Sequence, residues 1–506
     1  MTDTPWQEQQ HLPRPADATR RATRRPGTAG QAVVIGGGLA GMLAAAALAP
    51  HAERVTVIER DRLPDGAAPR AFLPQARHAH LMWSGGARAV DDLLPGFTDR
   101  LLAAGGRRIP LTSGMVALSP GGWYRRWRPT HFMLAATRDL LDGIVRDQVL
   151  ALEPVRVLQG AKVTGLDGDG GRITGVRVRL PGTADGTAGG AADGAAEVIP
   201  ADLVVDASGR GTGSPEWLRE LGVPDIREEL VDSGLVYASR MYQAPPGTED
   251  FPVVNIQTVV TRDGQPGRGG VILPVEGGRW LVTLSGTKGG QPTGDPDAFD
   301  EFARSLRHPL VSELMEYAEP VSEISTFGNT ADRRRYYEKC RTWPEGYVVL
   351  GDAVAGFNPV YGHGMSVAAQ GARALRAELD AGGLRNPGLG RRTQRAVARP
   401  VSVAWDLATG QDVFYPGAVG KQPTAGDRIL ARYVDRLIHT ATADFEVATA
   451  LTDVMTLEAP SSTLVRPGVL LRTLRGPRLP PLTGPPLTER ELAFTRAADA
   501  GATEVG

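Results

Sequence analysis

The chain has 506 residues, with 63 glycines and 39 prolines, and 42% of it is hydrophobic. That composition supports a packed core and excludes a fibrous or wholly disordered protein. Lys and Arg (56) balance Asp and Glu (57) to a net charge of −1, which argues against a nucleic-acid partner. The single cysteine, Cys340, excludes an intrachain disulfide and a cysteine-based metal cluster. At this length roughly two to four domains, or one composite fold, are expected.

Residues 1–28 carry arginines but no apolar segment of a secretory signal, and they read as a disordered tail. Folded sequence begins with the apolar run 31–35 (QAVVI), stopped by Gly36-Gly37-Gly38. A stretch of strong helix formers (LAGMLAAAALA) follows, then a second buried strand at 55–61 (VTVIERD). Strand, glycine turn, helix and strand make a βαβ unit with parallel strands. Residues 61–80 are irregular and rich in Pro, Arg and His. Helices are predicted over 84–94 and 137–150, and β-type segments over 155–168, 171–180 and 198–209. The Gly/Ala/Asp stretch 181–195 reads as a hairpin loop. From 233 to 286 the text is strand-rich, and Gly277-Gly278 marks a hairpin turn in VILPVEGGRWLVTLSG. An antiparallel sheet is therefore expected over 216–334. A buried strand returns at 347–353 (YVVLGDA), leading into a glycine-rich turn and a long helix (MSVAAQGARALRAEL). After 400 the pattern is helical and amphipathic, with a Pro-rich end. The longest apolar run, 39–50, falls short of the ~20 residues of a membrane span. These features predict a cytoplasmic protein with no membrane span.

Two motifs carry chemistry. The first is Gly36-Gly37-Gly38-Leu39-Ala40-Gly41, placed after an apolar strand and opening a helix. Gly36 suits the tight turn, Gly38 admits a pyrophosphate, and Gly41 lets the helix pack closely. The helix N-terminus offers free N–H groups and its dipole to phosphates. Glu59 ends the next strand, where a carboxylate holds a ribose 2′-hydroxyl. The second motif is Gly351-Asp352-Ala353, followed by Asn358-Pro359 and Gly362-His363-Gly364-Met365. A strand delivers Asp352 to its carboxyl end, where it can bond a polyol such as the ribityl chain of a flavin. The helix from Met365 would aim its N-terminus at the pyrimidine end of the ring, favouring the anionic reduced form.

These residues resemble a family. Gly36-x-Gly38-x-x-Gly41, Glu59-Arg60, Arg138 at a helix start, Asp206-Ala-Ser-Gly209 and Gly351-Asp352 are similar to the FAD-dependent monooxygenases of the p-hydroxybenzoate hydroxylase type, over roughly 31–400. The middle pattern is usually an Asp-Gly pair, and DASGRG departs from it. A narrower resemblance lies in PQARHAHLMWSGGAR, LVVDASGRG, VDSGLVYASR, GRWLVTLSGTKGG and WPEGYVVLGDAVAGFNPVYGHGMS. These stretches look like the flavin epoxidases of polyether ionophore biosynthesis, of the lasalocid and monensin type. The resemblance implies a noncovalent FAD whose hydroperoxide is the oxidant, so no residue is assigned as catalytic. It implies dioxygen and a linear polyene polyketide as substrates, and electrons from NAD(P)H or a separate flavin reductase. It also implies that Arg60, Arg138, Pro359, Gly362, His363, Gly364 and Met365 lie at the cofactor.

The architecture that follows is α/β. A Rossmann-like FAD-binding domain (29–215 and 335–400) carries an inserted antiparallel substrate sheet (216–334) and a helical C-terminal region (401–506). Trp83, Tyr237, Phe357 and Tyr361 are candidate walls of an apolar substrate pocket, against an ordinary core role for each. His78 and His80 alternate as if on one strand face and lack a third ligand nearby, so no metal is expected. Two other readings stay open: a hydroxylase of an aromatic or other polyketide, and a flavin-binding protein without turnover. The W-x-W-x-I-P pattern of tryptophan halogenases is absent, and the corresponding text is WYRRWRP.

Overall fold

A computed structural model describes residues 30–70, 73–180, 197–248, 250–260 and 264–492. The tail expected at 1–28 and the loop expected at 181–195 lie outside these residues. Five short apolar segments form one sheet: β1 (Gln31–Ile35), β2 (Arg54–Glu59), β3 (Val155–Gln159), β4 (Leu203–Asp206) and β5 (Tyr347–Val349). Their order is β5-β4-β1-β2-β3, and every neighbouring pair is parallel. Val33, Val34, Val55, Val57, Val204, Val205 and Val348 are fully buried along these strands. Successive residues bury because a parallel sheet is covered on both faces. Helix α1 (Leu39–Leu48) follows β1 and packs against helix Arg138–Leu150 and α2 (Gly364–Gly382). A three-stranded antiparallel sheet (Lys162–Gly168, Ile173–Arg179, Glu197–Pro200) packs against β4.

The strand order reverses at β1: the chain proceeds to β2 on one side, while β4 pairs on the other. Such a reversal opens a crevice at the carboxyl ends of the strands. Above it stands the antiparallel sheet, built on strands Val236–Gln243, Val253–Ile256, Arg268–Val275 and Arg279–Gly286. The hairpin joining the last two closes between Val275 and Arg279, with Gly277 and Gly278 at φ 74° and 63°. Met115–Ser119 joins the same sheet, parallel to Val253–Ile256, from far upstream in the chain. That strand lies among four between 107 and 135, where the text shows no sustained alternation.

Helices close the remaining side. Helix α3 (Leu389–Asp412) runs continuously through Pro400, and its Val397, Val401, Ala404 and Trp405 share one core with the parallel sheet. Helix α4 (Ala425–Ala441) starts at a capping box of Thr424 and Asp427, and α5 (Phe445–Met455) is capped by Asp444. The two pack through Leu437, Ala441, Val447 and Ala448. Among the described residues no helix is long and apolar enough to cross a membrane.

Candidate cofactor and substrate cavity

The glycine turn after β1 is shaped by close backbone approaches. Gly36 adopts φ +97°, and a Cβ there would lie 2.7 Å from the Ala207 carbonyl oxygen of the turn after β4. A Cβ on Gly41 would come within 1.8 Å of the Gly36 carbonyl oxygen, so only glycine lets α1 pack so tightly. At Gly38 a Cβ would meet nothing within 4 Å, and the turn faces open space. No side chain caps α1 at Gly38, and its first turn holds no acidic residue. Its leading N–H groups and positive dipole end are thus free for a phosphate.

Glu59 ends β2 beside this turn, 5% exposed. Its Oε2 accepts from Gly37 N–H (2.6 Å) and faces Arg70 (3.0 Å), and its Oε1 accepts from Asp61 N–H (3.0 Å). Oε2 is therefore filled, and Oε1 retains one lone-pair site for a ribose hydroxyl. Arg70 also donates to the Gly37 carbonyl (3.0 Å) and lines the cavity. It sits in the irregular Arg- and His-rich segment, and periodicity offers no signal for it. Arg60 is 69% exposed at the rim, 3.7 Å from Asp61.

The second motif meets the first directly. Gly351, at φ +61°, brings its backbone against α1: a Cβ there would lie 2.7 Å from the Ala40 Cβ. Two turns distant in sequence thus meet at one crevice, with β5 supplying Asp352. Burial pushes the Asp352 carboxyl above its ordinary range, against the opposing pull of Arg210 and Arg138. Arg138 opens its helix beside the cavity and donates to Asp142 (2.8 Å). Arg210 donates to the carbonyls of Phe357 (3.4 Å) and Ala331. Asp206, by contrast, folds its own loop. It is fully buried and accepts from Ser208 N–H (2.9 Å) and from the hydroxyls of Ser208, Thr212 and Ser214.

Around these turns runs one cavity of about 1750 Å³. It exceeds the roughly 300–1,000 Å³ of an ordinary ligand pocket, so a dinucleotide leaves room for a second molecule. Gly36, Gly38, Leu39, Ala40, Glu59, Arg60, Arg138, Asp352, Pro359, Gly362, Gly364 and Met365 all line it. So do Trp83, Tyr237, Phe357 and Tyr361. These four are anchored as well as lining: the Trp83 indole donates to the Tyr361 carbonyl (3.3 Å), and the Tyr237 hydroxyl donates to Asn358 (3.3 Å). Phe357 belongs to the main core.

Three residues expected at the cofactor do not line the cavity. Gly37 and Gly41 face inward, toward Glu59 and the Gly36 carbonyl. His363 is fully buried, and its Nε2 bonds the Met455 carbonyl of α5 (3.0 Å). It ties α2 to α5, and burial lowers its pKa to about 4. His78 and His80 are not on a strand; they follow a short 3-10 turn and precede strand Leu81–Trp83. His78 Nδ1 pairs with Ser239 (2.7 Å) and His80 Nδ1 with the His78 carbonyl (2.8 Å). Burial holds His78 down to about 4, helped by Arg77, and His80 to about 3, helped by Arg138. Both are neutral at neutral pH.

Comparison with known proteins agrees with this crevice. A family model described as FAD dependent oxidoreductase matches residues 31–212. Over 423 residues the chain is 32% identical to Protein Rv3254 of Mycobacterium tuberculosis, covering 82% of this chain and 86% of that one. The chain belongs to the FAD-dependent oxidoreductase family. FAD is its cofactor, and the open Gly38 face, the uncapped α1 and the joined turns fit that dinucleotide. This oxidoreductase is also 28% identical over 360 residues to Kynurenine 3-monooxygenase of Salinispora arenicola, covering 66% of this chain and 69% of that one. Its fold is similar to p-nitrophenol 4-monooxygenase PnpA from Pseudomonas putida DLL-E4. There the TM-score is 0.54 at 14% identity, covering 88% of this chain and 98% of that one.

Proposed function

We propose that this FAD-dependent oxidoreductase is a monooxygenase that epoxidises alkenes of a linear polyene polyketide. The observation that carries the reading is the apolar lining that the cavity has besides the joined turns. It is also lined by Val253, Ile256, Val271 and Leu273 of the antiparallel sheet and by Leu437 and Leu451 of the C-terminal helices. An extended apolar substrate fits such walls, which also exclude water from the reacting centre. Bound FAD, once reduced, supplies the chemistry of dioxygen activation and oxygen-atom transfer. The protein's residues bind and orient. The α1 N-terminus and Gly38 would take the pyrophosphate, Glu59 Oε1 the ribose, and Asp352 the ribityl chain. The uncapped N-terminus of α2 and Arg138 would face the flavin ring, where they would favour negative charge. His78 and His80, held neutral, place no cation beside an apolar substrate. In this reading the parallel-sheet unit carries the cofactor, while the antiparallel sheet and the described C-terminal helices wall the substrate. Electrons come from NAD(P)H or from a partner reductase.

The test is to incubate the reduced holoenzyme with candidate polyenes and ¹⁸O-labelled dioxygen. The expected product is heavier by one labelled oxygen and opens in acid to a diol. Unlabelled product, or flavin reoxidation with no oxygenated product, would overturn the reading. A second reading, hydroxylation of an aromatic or other polyketide, draws support from the monooxygenase relative. It predicts a labelled product that acid leaves unopened.

A further inference from the structure

Behind the flavin-side turn lies a polar cluster that cofactor binding does not use. Asp332, at the start of strand Asp332–Arg335, is fully buried, and Asp412, the last residue of α3, is 1% exposed. Neither forms a salt bridge among the described residues. Asn358 clamps them together: its N–H donates to Asp332 Oδ1 (2.7 Å) and its side-chain amide to Asp412 Oδ2 (2.7 Å). Ser233 also donates to Asp412 Oδ2 (3.2 Å), and the Tyr361 hydroxyl donates to Asp412 Oδ1 (2.5 Å). Asp332 Oδ2 is buried and has no donor of its own among the described residues. The titratable and charged groups facing the pair are Tyr237, Tyr361 and Tyr415 and, on the loop after β4, Arg210.

We propose that Asp332 and Asp412 form a proton-accepting pair that serves the cavity through the Tyr361 hydroxyl. Two carboxylates side by side in a buried site cannot both stay ionised, so they share one proton. Burial, then the neighbouring carboxylate, raises Asp332 well above its ordinary range, and burial raises Asp412 too. Asn358, Ser233 and Tyr361 all donate to Asp412, which makes it the ionised partner. The singly charged pair can take a second proton at Asp412, and the negative charge then moves from the pair to the oxygen that gave the proton up. Tyr361 lines the cavity, and its own phenolate is strongly disfavoured by burial and by Asp412. It therefore passes a proton on and does not keep a charge. In the step, an O–H bond of a cavity water or substrate hydroxyl breaks, and that proton joins the Tyr361 oxygen. The original Tyr361 proton moves to Asp412 Oδ1, and the electron pair stays on the cavity oxygen. Nothing is oxidised or reduced.

Two measurements on the holoenzyme test this. Infrared spectra at neutral pH read the shared proton without turnover, so they stand even if the monooxygenase reading fails. A protonated-carboxyl band that shifts in D₂O is expected in wild type and in Tyr361→Phe, and it should vanish in Asp332→Asn. A wild type without that band overturns the pair. The second measurement is the pH profile of turnover. Tyr361→Phe and Asp412→Asn should lose the same limb, while Asp332→Asn shifts it. A Tyr361→Phe profile with the wild-type shape, or variants that change only FAD affinity, would show that the cluster merely holds the turn, and the relay would be wrong.

Discussion

Asp352 and His363 stand within a dozen residues of each other in one motif, and the structure gives them opposite duties. Asp352 faces the cavity at the end of a buried strand, half-buried and raised by burial. In the role proposed for it, replacement by alanine removes a hydrogen bond to the ribityl chain, worth about 1.5–3 kcal/mol with the carboxyl ionised. FAD titration of the apoprotein should show affinity falling by about tenfold or more, with the fold intact by circular dichroism. Equal affinity would remove Asp352 from the site. His363 faces α5 and is held neutral. Its folded pKa is about 4 against 6.5 unperturbed, so it contributes stability above pH 6.5 that is lost as pH falls toward 4. The contribution is about 3 kcal/mol. Denaturant unfolding between neutral pH and pH 4 should therefore lose about 3 kcal/mol more in wild type than in His363→Gln, which keeps a donor for Met455. A parallel loss in both would refute the assignment. Residue type alone did not separate these two: a histidine between two glycines beside a cofactor motif looks like a ligand until α5 is folded against it.

At the scale of elements, the βαβ unit was legible because strand, glycine turn and helix are local patterns. The boundaries predicted for β1 and for the helix of 137–150 agree with Gln31–Ile35 and Arg138–Leu150 to within a residue. The reason is physical: apolar runs, a Thr137 cap and tightly spaced glycines act over a few residues. Gly41→Ala tests the packing directly. With 1.8 Å available, α1 must move away from the turn. The expected cost is about 1–3 kcal/mol of stability, together with weaker FAD binding, read by thermal unfolding and flavin fluorescence. A variant with wild-type melting and affinity would mean that the turn yields freely. The strands between 107 and 135 were not legible. Met115–Ser119 pairs with a strand well over a hundred residues downstream, and no local periodicity encodes that partner.

At the scale of the whole molecule, the cavity lies where three layers meet: parallel sheet, antiparallel sheet and C-terminal helices. FAD binds only the folded chain, so its removal should lower stability by about 2.7 kcal/mol relative to protein at roughly 100 times the Kd of free FAD. Identical melting of the two forms would contradict a cofactor seated between layers. Leu451→Trp fills the part of the cavity that α5 lines. It should raise KM or abolish substrate binding while leaving FAD affinity unchanged, and an unchanged KM would place the substrate elsewhere.

The sequence by itself determined the two local motifs, the glycine turn after β1 and the turn after β5, that the crevice brings together. Its glycines, its strand ends and its acidic residues sit in short motifs whose chemistry depends on backbone conformation within one turn. Among the 63 glycines, Gly36 and Gly41 make close backbone approaches that the motif's spacing marks, whereas Gly168, Gly286 and Gly420 make comparable approaches that no local spacing marks. Only the tertiary structure decided what lies around the crevice: Arg70 across the first turn, His363 on α5, and Asp332 joined to Asp412 through Asn358. Each of these depends on side chains from elements far apart in the chain. Their burial and their partners exist only once the layers have packed.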